Sequence, residues 1–322
     1  MKKQRVAAII LAAGKGTRMK SDLPKVLHPV CGRAMILYVL DLAKALKFDK
    51  HVVVLGYKAA DVKKALPSGT STVLQKKVIG TADAVKQALP LLRSFKGTII
   101  VLYGDTPLLK EDAIKELLKR HADSNAAATI LTAVMEDPAG YGRILRDERG
   151  SVTGIREEKD ADAFQKDIKE INTGIICFDK AKLEAGIKKV RANNKKKEYY
   201  LTDLIGILRA NGELIESCAV KNAQEALGVN SRVELAAADT CIRKRINETY
   251  MKSGVTIVDP DSTMISHGTS IGPDTTIYPF TVIENSVKIG TQCKIGPFAH
   301  IKKGAALRNN TVVVGFPSSY NT

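Results

Sequence analysis

Apolar residues follow two different rhythms along this chain, and the rhythm changes near Asn230. Before that point, short β-type runs alternate with amphipathic segments of helical length. RVAAIILAA, HVVVLG, GTIIVLYGD, AAATILTAV and IKEINTGIICF read as strands. AMILYVLDLAKAL, DVKKAL, TADAVKQALPLL and DAIKELLKRHADS read as helices. Such alternation predicts an α/β fold whose mostly parallel sheet is covered on both faces. Ligands of sheets of this kind bind beyond the carboxyl ends of the strands.

Past Asn230, SRVELAAADTCIRKRINETYMKSG reads as one long helix ended by Gly254. After it, Ile265, Ile271, Ile277, Ile283, Ile289, Ile295, Ile301 and Leu307 recur every six residues, with small or turn-forming residues between them. A period of six fits neither an α-helix nor an array of hairpins. It marks a β-helix of hexapeptide repeats, with each aliphatic residue pointing into the prism. At three faces per turn this gives about two to three coils before the repeat breaks after Leu307. The predicted organisation is a domain over residues 1–229, a linker helix over 230–254 and a partial β-helix over 255–322.

Composition narrows the classes of function. A chain of 322 residues, 44% hydrophobic, can bury a large core. No apolar run approaches the roughly 20 residues needed to span a bilayer. MKKQRVAAIILAAG begins like a secretion signal but runs into a glycine loop without a polar cleavage region, so it reads as a buried first strand. The five cysteines are scattered and show no metal-ligand spacing, which suits reduced thiols in a cytoplasmic protein. The net charge of +16 either attracts polyanions or reflects a solvated lysine-rich surface. Around Lys195, Lys196 and Lys197 there are no interleaved aromatics, so a nucleic acid is not expected as partner, and with no spanning run neither is a membrane.

The richest chemistry lies in LAAGKGTRMKSDLPK, from Leu11 to Lys25. A glycine-rich turn after a buried strand brings backbone N–H groups against phosphates. Neither GxGxxG, which Met19 breaks, nor GxxxxGK[ST] is present. Arg18 and Lys25 add two cations, and Pro24 stiffens the approach to Lys25. This combination suits a polyphosphate whose charge is neutralised during reaction.

Here the chain resembles the sugar nucleotidyltransferases, whose motif is LxxGxGTR followed by PK. VLQKKVIGTADA, VLYGDTPLL, DPAGYGRI, EINTGI, EYYLTD and GVNSR narrow the resemblance to the bacterial N-acetylglucosamine-1-phosphate uridyltransferases, usually fused to a glucosamine-1-phosphate acetyltransferase. It extends over residues 5 to 307 and implies a Rossmann-like nucleotidyltransferase domain, then a left-handed parallel β-helix. The implied reaction joins UTP and N-acetylglucosamine-1-phosphate into UDP-N-acetylglucosamine, releasing pyrophosphate, with Mg²⁺ as cofactor. The resemblance assigns Arg18, Lys25 and Asp105 to catalysis, and Asp105 and Asn230 to the metal. It assigns Leu11, Ala12, Ala13, Gly14 and Lys25 to the nucleotide's uridine and phosphates, and Gln75, Gly80 and Thr81 to the uracil. Tyr103 and Gly104 fall on the ribose and sugar side. Gly140, Glu157 and Asn172 fall on the sugar phosphate, while Thr202 is set aside.

Two departures stand out. GTADA places Asp83 where many relatives of this family carry the histidine of GTGHA, so altered tuning of the uracil pocket is expected. The β-helix is short, and neither His267 nor His300 matches the family's catalytic histidine, so acetyltransferase activity is not expected. Two alternatives stay open: a nucleotidyltransferase for another sugar-1-phosphate, and a non-catalytic assembly protein using the β-helix as a platform. A homotrimer through the β-helix is compatible with either.

Overall fold

The computed structural model describes residues 5–315 and divides into two compact units. One comprises the chain up to Leu27 together with Met35–Asn230. The other comprises His28–Ala34 and the chain from Ser231 onward.

The first unit is built on a nine-stranded sheet. Its strands in chain order are β1 (Val6–Ala12), β2 (Lys50–Leu55), β3 (Ser71–Leu74), β4 (Thr98–Tyr103) and β5 (Ala128–Val134), then β6 (Gly142–Arg146), β7 (Val152–Arg156), β8 (Glu170–Asp179) and β9 (Ile215–Ala219). The main order is β9-β5-β8-β4-β1-β2-β3, with β6 joining β8 and β7. All residues of β1 are buried, as expected of a central strand covered on both faces. The predicted parallel character holds for β1 with β2 and β4, for β2 with β3, and for β5 with β9. β8 differs: it runs antiparallel to both β4 and β5. The short strand Ser71–Leu74, the β6–β7 hairpin and β9 lack a long apolar run and were not foreseen.

Helices Met35–Ala45, Thr81–Ala88 and Glu111–Ser124 form where amphipathic segments were read. DVKKAL belongs to a helix over Ala59–Ala65. Leu89–Leu92 continues the third segment as a 3₁₀ turn around Pro90, which cannot donate into an α-helix.

In the second unit, helix Arg232–Lys252 starts with a capping box: Ser231 and Glu234 satisfy each other's backbone N–H groups. Its far half closes one end of the prism. Ile246 and Tyr250 pack on the prism's apolar core, and Asn247 donates to the carbonyls of Pro260 and Thr263 at 2.9 and 3.1 Å. Among the described residues the prism has ten two-residue strands in three parallel ladders of four, three and three. Val313 follows Leu307 by six residues and pairs beside Ile295, so the repeat continues past the predicted break. Thr256–Ile257 also joins, ahead of the strict period, because the bend through Asp259–Thr263 adds two residues. The hairpin Pro29–Val30/Arg33–Ala34 belongs to this unit. His267 N–H donates to Cys31 O, and Cys31 N–H donates to Asp239 Oδ1.

Candidate active site

In chain order the sheet of the first unit grows from β1 to β2 and β3 on one side, then returns to place β4 on the other. The crevice beyond the carboxyl ends of β1 and β4 is therefore the switch point at which such sheets bind ligands. Tyr103 is paired beside Leu11, and Gly104 N–H continues the ladder by donating to Leu11 O at 2.9 Å. A cleft of about 410 Å³ opens here, within the range of small-molecule sites.

The glycine loop forms one rim. Gly16 has φ +65, a left-handed conformation, and a Cβ there would stand 2.6 Å from Lys25 Cβ. Only glycine lets the loop fold back onto Lys25 in this way. Met19 is buried and anchors the turn, and its N–H donates to Gly16 O at 3.0 Å. Leu11, Ala12, Ala13 and Gly14 line the cleft, with Arg18 exposed at its edge.

Lys25 is the centre of the cluster. Its ammonium pairs with the Asp105 carboxylate and donates to Asn230 Oδ1 at 2.9 Å. Asp105 is buried at the end of β4, and the loop carrying Asn230 is stitched to it by Val229 N–H donating to Asp105 O at 2.8 Å. The Asn230 amide nitrogen donates to Gly228 O, which fixes its oxygen toward the lysine. Two hard oxygen donors, one anionic and one neutral, thus already converge on a cation. That donor set fits Mg²⁺. Among the described residues no group of three or more His, Cys, Asp or Glu gathers as a metal site. A divalent ion held by this pair would complete its shell with water and substrate oxygens.

Gln75 lies at another wall of the cleft and is 2% exposed. Its Nε2 donates to Gly80 O at 3.0 Å and to Asp83 Oδ2 at 2.8 Å. Gly80 has φ +126 and lies against the backbone of Tyr199, where a Cβ would come within 2.3 Å of the carbonyl oxygen. Thr81 receives Leu201 N–H on its hydroxyl at 2.9 Å, so the segments around 80 and 200 lock together.

Gly140, Glu157 and Asn172 also line the cleft. Asn172 lies where β8 shifts register against β5, and its Oδ1 accepts Gly174 N–H at 2.9 Å. Such a bulge re-aims a side chain out of the ladder. Burial raises the Glu157 carboxyl above the ordinary glutamate value, while the Thr202 hydroxyl, donating at 2.8 Å, and the charge of Lys196 pull it back. Tyr103 lines the cleft, and desolvation, with the charges of Glu157 and Asp105, raises its phenol.

Of the residues assigned to the site in the sequence, all line the cleft except Gly104, which packs on Val26 and Ile36. Thr202, set aside in the sequence, is buried in the wall against Glu157. Lys196, read within a solvated basic run, also lines the cleft. Its signal was hidden because its neighbours in the run are lysines too. Tyr141, Thr173, Tyr200 and Gly228 line the cleft as well; each lies in a string that carries the resemblance (DPAGYGRI, EINTGI, EYYLTD and GVNSR), though none was singled out there.

Comparison with known proteins agrees with both units. The MobA-like NTP transferase domain matches residues 8–168, and the bacterial transferase hexapeptide (six repeats) matches residues 268–303. The bifunctional protein GlmU of Bacillus velezensis is 49% identical over 306 residues, 95% of this chain and 67% of that protein. GlmU of Geobacillus thermodenitrificans is 48% identical over 295 residues, 92% of this chain and 64% of its own length. GlmU of Bacillus subtilis is 48% identical over 328 residues, 92% of this chain and 72% of its own length. The chain therefore spans about two-thirds of the curated relatives it matches. With half of its length matched by the transferase model and nearly all of it aligned at close to half identity, the chain belongs to the GlmU family, with a MobA-like NTP transferase domain at its amino end.

Proposed function

We propose that this chain transfers a uridylyl group from UTP to N-acetylglucosamine-1-phosphate, giving UDP-N-acetylglucosamine and pyrophosphate. The observation that carries the reading is the meeting of Lys25, Asp105 and Asn230 beside the glycine loop, in one cleft with the Gln75 pocket. A phosphate oxygen of the sugar phosphate attacks the α-phosphorus of UTP, and the bond to the β-phosphate oxygen breaks. The attacking oxygen is already anionic near neutral pH, so the site needs no general base. Its work is positioning and charge neutralisation.

Lys25 holds phosphate oxygens from the ground state to the transition state, with its stem fixed against Gly16. Arg18, at the rim, neutralises the departing pyrophosphate. Glu157 and Asn172, which line the same cleft, accept from and donate to sugar hydroxyl and N-acetyl groups. Asp105 and Asn230 would hold Mg²⁺, which when bound would supply positive charge to the reacting phosphates.

The test is pyrophosphate release from UTP with N-acetylglucosamine-1-phosphate, glucosamine-1-phosphate or glucose-1-phosphate, with and without Mg²⁺. Metal-dependent release favouring the N-acetylated sugar is expected. Preference for another sugar would move the assignment to that substrate, and no release with any would favour a binding or assembly role. Lys25→Ala and Arg18→Ala are each expected to lower kcat by about 10²- to 10³-fold. Near-wild-type kcat in both would remove these roles.

A homotrimer through the hexapeptide-repeat unit is part of the same proposal. It is supported by the stacked, exposed rings of Phe280 and Phe298 at one corner of the prism, with centroids 5.1 Å apart. Exposed apolar pairs of this kind suit a contact between copies. Sedimentation velocity distinguishes monomer from trimer directly.

A further inference from the structure

Resting on the uridylyl-transfer reading, we infer that Asp83 is a positioning residue that sets pyrimidine selectivity by fixing the orientation of the Gln75 amide.

A glutamine amide can present either end to a ligand, and the two ends read opposite patterns. In this chain the choice is made by the protein. The two hydrogens of Gln75 Nε2 point to Gly80 O at 3.0 Å and Asp83 Oδ2 at 2.8 Å. Both partners are acceptors, and a carboxylate cannot donate when ionised, so a flipped amide would set oxygen against oxygen twice. Donor capacity is used up, and Oε1 is left as the atom able to engage a base in the cleft. Asp83 itself does not line that cleft; it stands behind Gln75 near the start of helix Thr81–Ala88. Its other oxygen accepts Gln87 Nε2 at 3.2 Å, so the carboxylate is itself held from the next turn.

The consequence is a one-way reader. At ring position 3, uracil carries an N–H and cytosine a lone pair. A fixed carbonyl oxygen accepts from the first and repels the second. A site whose polar group is pinned in one orientation discriminates far better than one free to turn, because the wrong ligand leaves a buried group unpaired. Gly80 O supplies one pin through the backbone, and Asp83 supplies the charged and therefore stronger one.

The experiment compares wild type, Asp83→Asn, Asp83→Leu, Gln75→Ala and the Gln75→Ala/Asp83→Leu double variant. Binding of UTP and CTP is measured by calorimetry, and turnover by pyrophosphate release. Asp83→Leu is expected to reduce the UTP-over-CTP preference by about tenfold. Asp83→Asn, which can still accept from Nε2 but can also turn its amide, should fall between it and wild type. The KM for sugar phosphate, and kcat at saturating UTP, should stay within about twofold, since Asp83 touches no reacting group. In the Gln75→Ala background, Asp83→Leu should add nothing to the loss of preference, because its effect runs through that amide.

Unchanged preference in Asp83→Leu, or an equal further loss in the Gln75→Ala background, overturns the inference while leaving uridylyl transfer standing. Equal binding of UTP and CTP by wild type overturns it as well. Selective binding that collapses in Asp83→Leu, without turnover of any sugar phosphate, upholds the inference and sinks the proposed reaction. Loss of folding in Asp83→Leu, followed by circular dichroism, leaves Asp83→Asn to decide by the same ratio.

Discussion

At Glu157, burial and hydrogen bonding pull the carboxyl in opposite directions. Burial, the larger cause, raises its proton affinity, and Asp203 and Asp160 add to the rise. The Thr202 hydroxyl and Lys196 oppose it. In the proposed reaction, the ionised form is the one that would accept from a sugar hydroxyl. Binding of the sugar phosphate should therefore weaken as pH falls through the raised value, which lies above that of an ordinary glutamate. Thr202→Val removes a donor to the ionised form and should move this acid limb to higher pH. KM for the sugar phosphate, measured between pH 5 and 8, reports the limb. A limb that does not move in Thr202→Val would remove Glu157 from sugar binding. Thr202 and Lys196 also show what sequence leaves hidden at this scale. One reads as a turn threonine and the other as one of three lysines, and only the folding of 196–202 against 157 gives them a task.

Helix Glu111–Ser124 packs against β5 and β9 and buries His121, whose Nδ1 lies 2.9 Å from Thr129 Oγ1. Desolvation pushes the imidazole down to about 4, against a smaller upward pull from Asp179. The unfolded chain, with an ordinary histidine value, binds this proton first as pH falls. Stability from the neutral imidazole is thus full above about pH 6.5 and lost progressively toward pH 4. The loss is at most roughly 3 kcal/mol. His121→Gln, which keeps a polar partner for Thr129 without titrating, should flatten the dependence of Tm on pH between 7 and 4.5. An equally steep curve in the variant would place the acid sensitivity elsewhere. At the start of helix Thr81–Ala88, Gly80→Ala meets both an unfavourable φ and the Tyr199 backbone. It is expected to destabilise the first unit by about 2 kcal/mol or more, read by urea unfolding. Full stability in that variant would mean that the 80 and 199 segments can part freely.

Each unit of the molecule has its own apolar core, one layered around the sheet and one running down the prism. Ile277 is fully buried in the prism, between Ile257 and Ile295 on its ladder. Ile277→Ala should cost about 3 kcal/mol of stability in the β-helix. In solenoids stability passes from coil to coil, so the damage should spread along the ladder. Pyrophosphate release at 25 °C should be unchanged, because the whole cleft lies in the other unit. Calorimetry paired with the activity assay checks this. A matching fall in kcat would tie the prism to the transfer reaction.

Two kinds of information were carried by the chain itself. Periodicity belongs to the local backbone, so alternating strands and helices, the long helix ended by Gly254 and the six-residue rhythm from Ile265 were all legible before any contact was known. The glycine loop was legible too, because glycines and cations within Leu11–Lys25 fall in one short stretch. Tertiary structure decided what depends on distant segments meeting. It turned β8 antiparallel, carried the hairpin at 29–34 into the second unit and extended the coils to Val313. It also brought Asn230 to Lys25 across 205 positions of sequence. An ionic or hydrogen-bonded cluster has no period, and its members are ordinary polar residues until the sheet sets them a few ångströms apart. The direction of the Gln75 amide is the clearest case: the sequence supplies the glutamine and the aspartate, and only their packing decides which end of the amide meets a ligand.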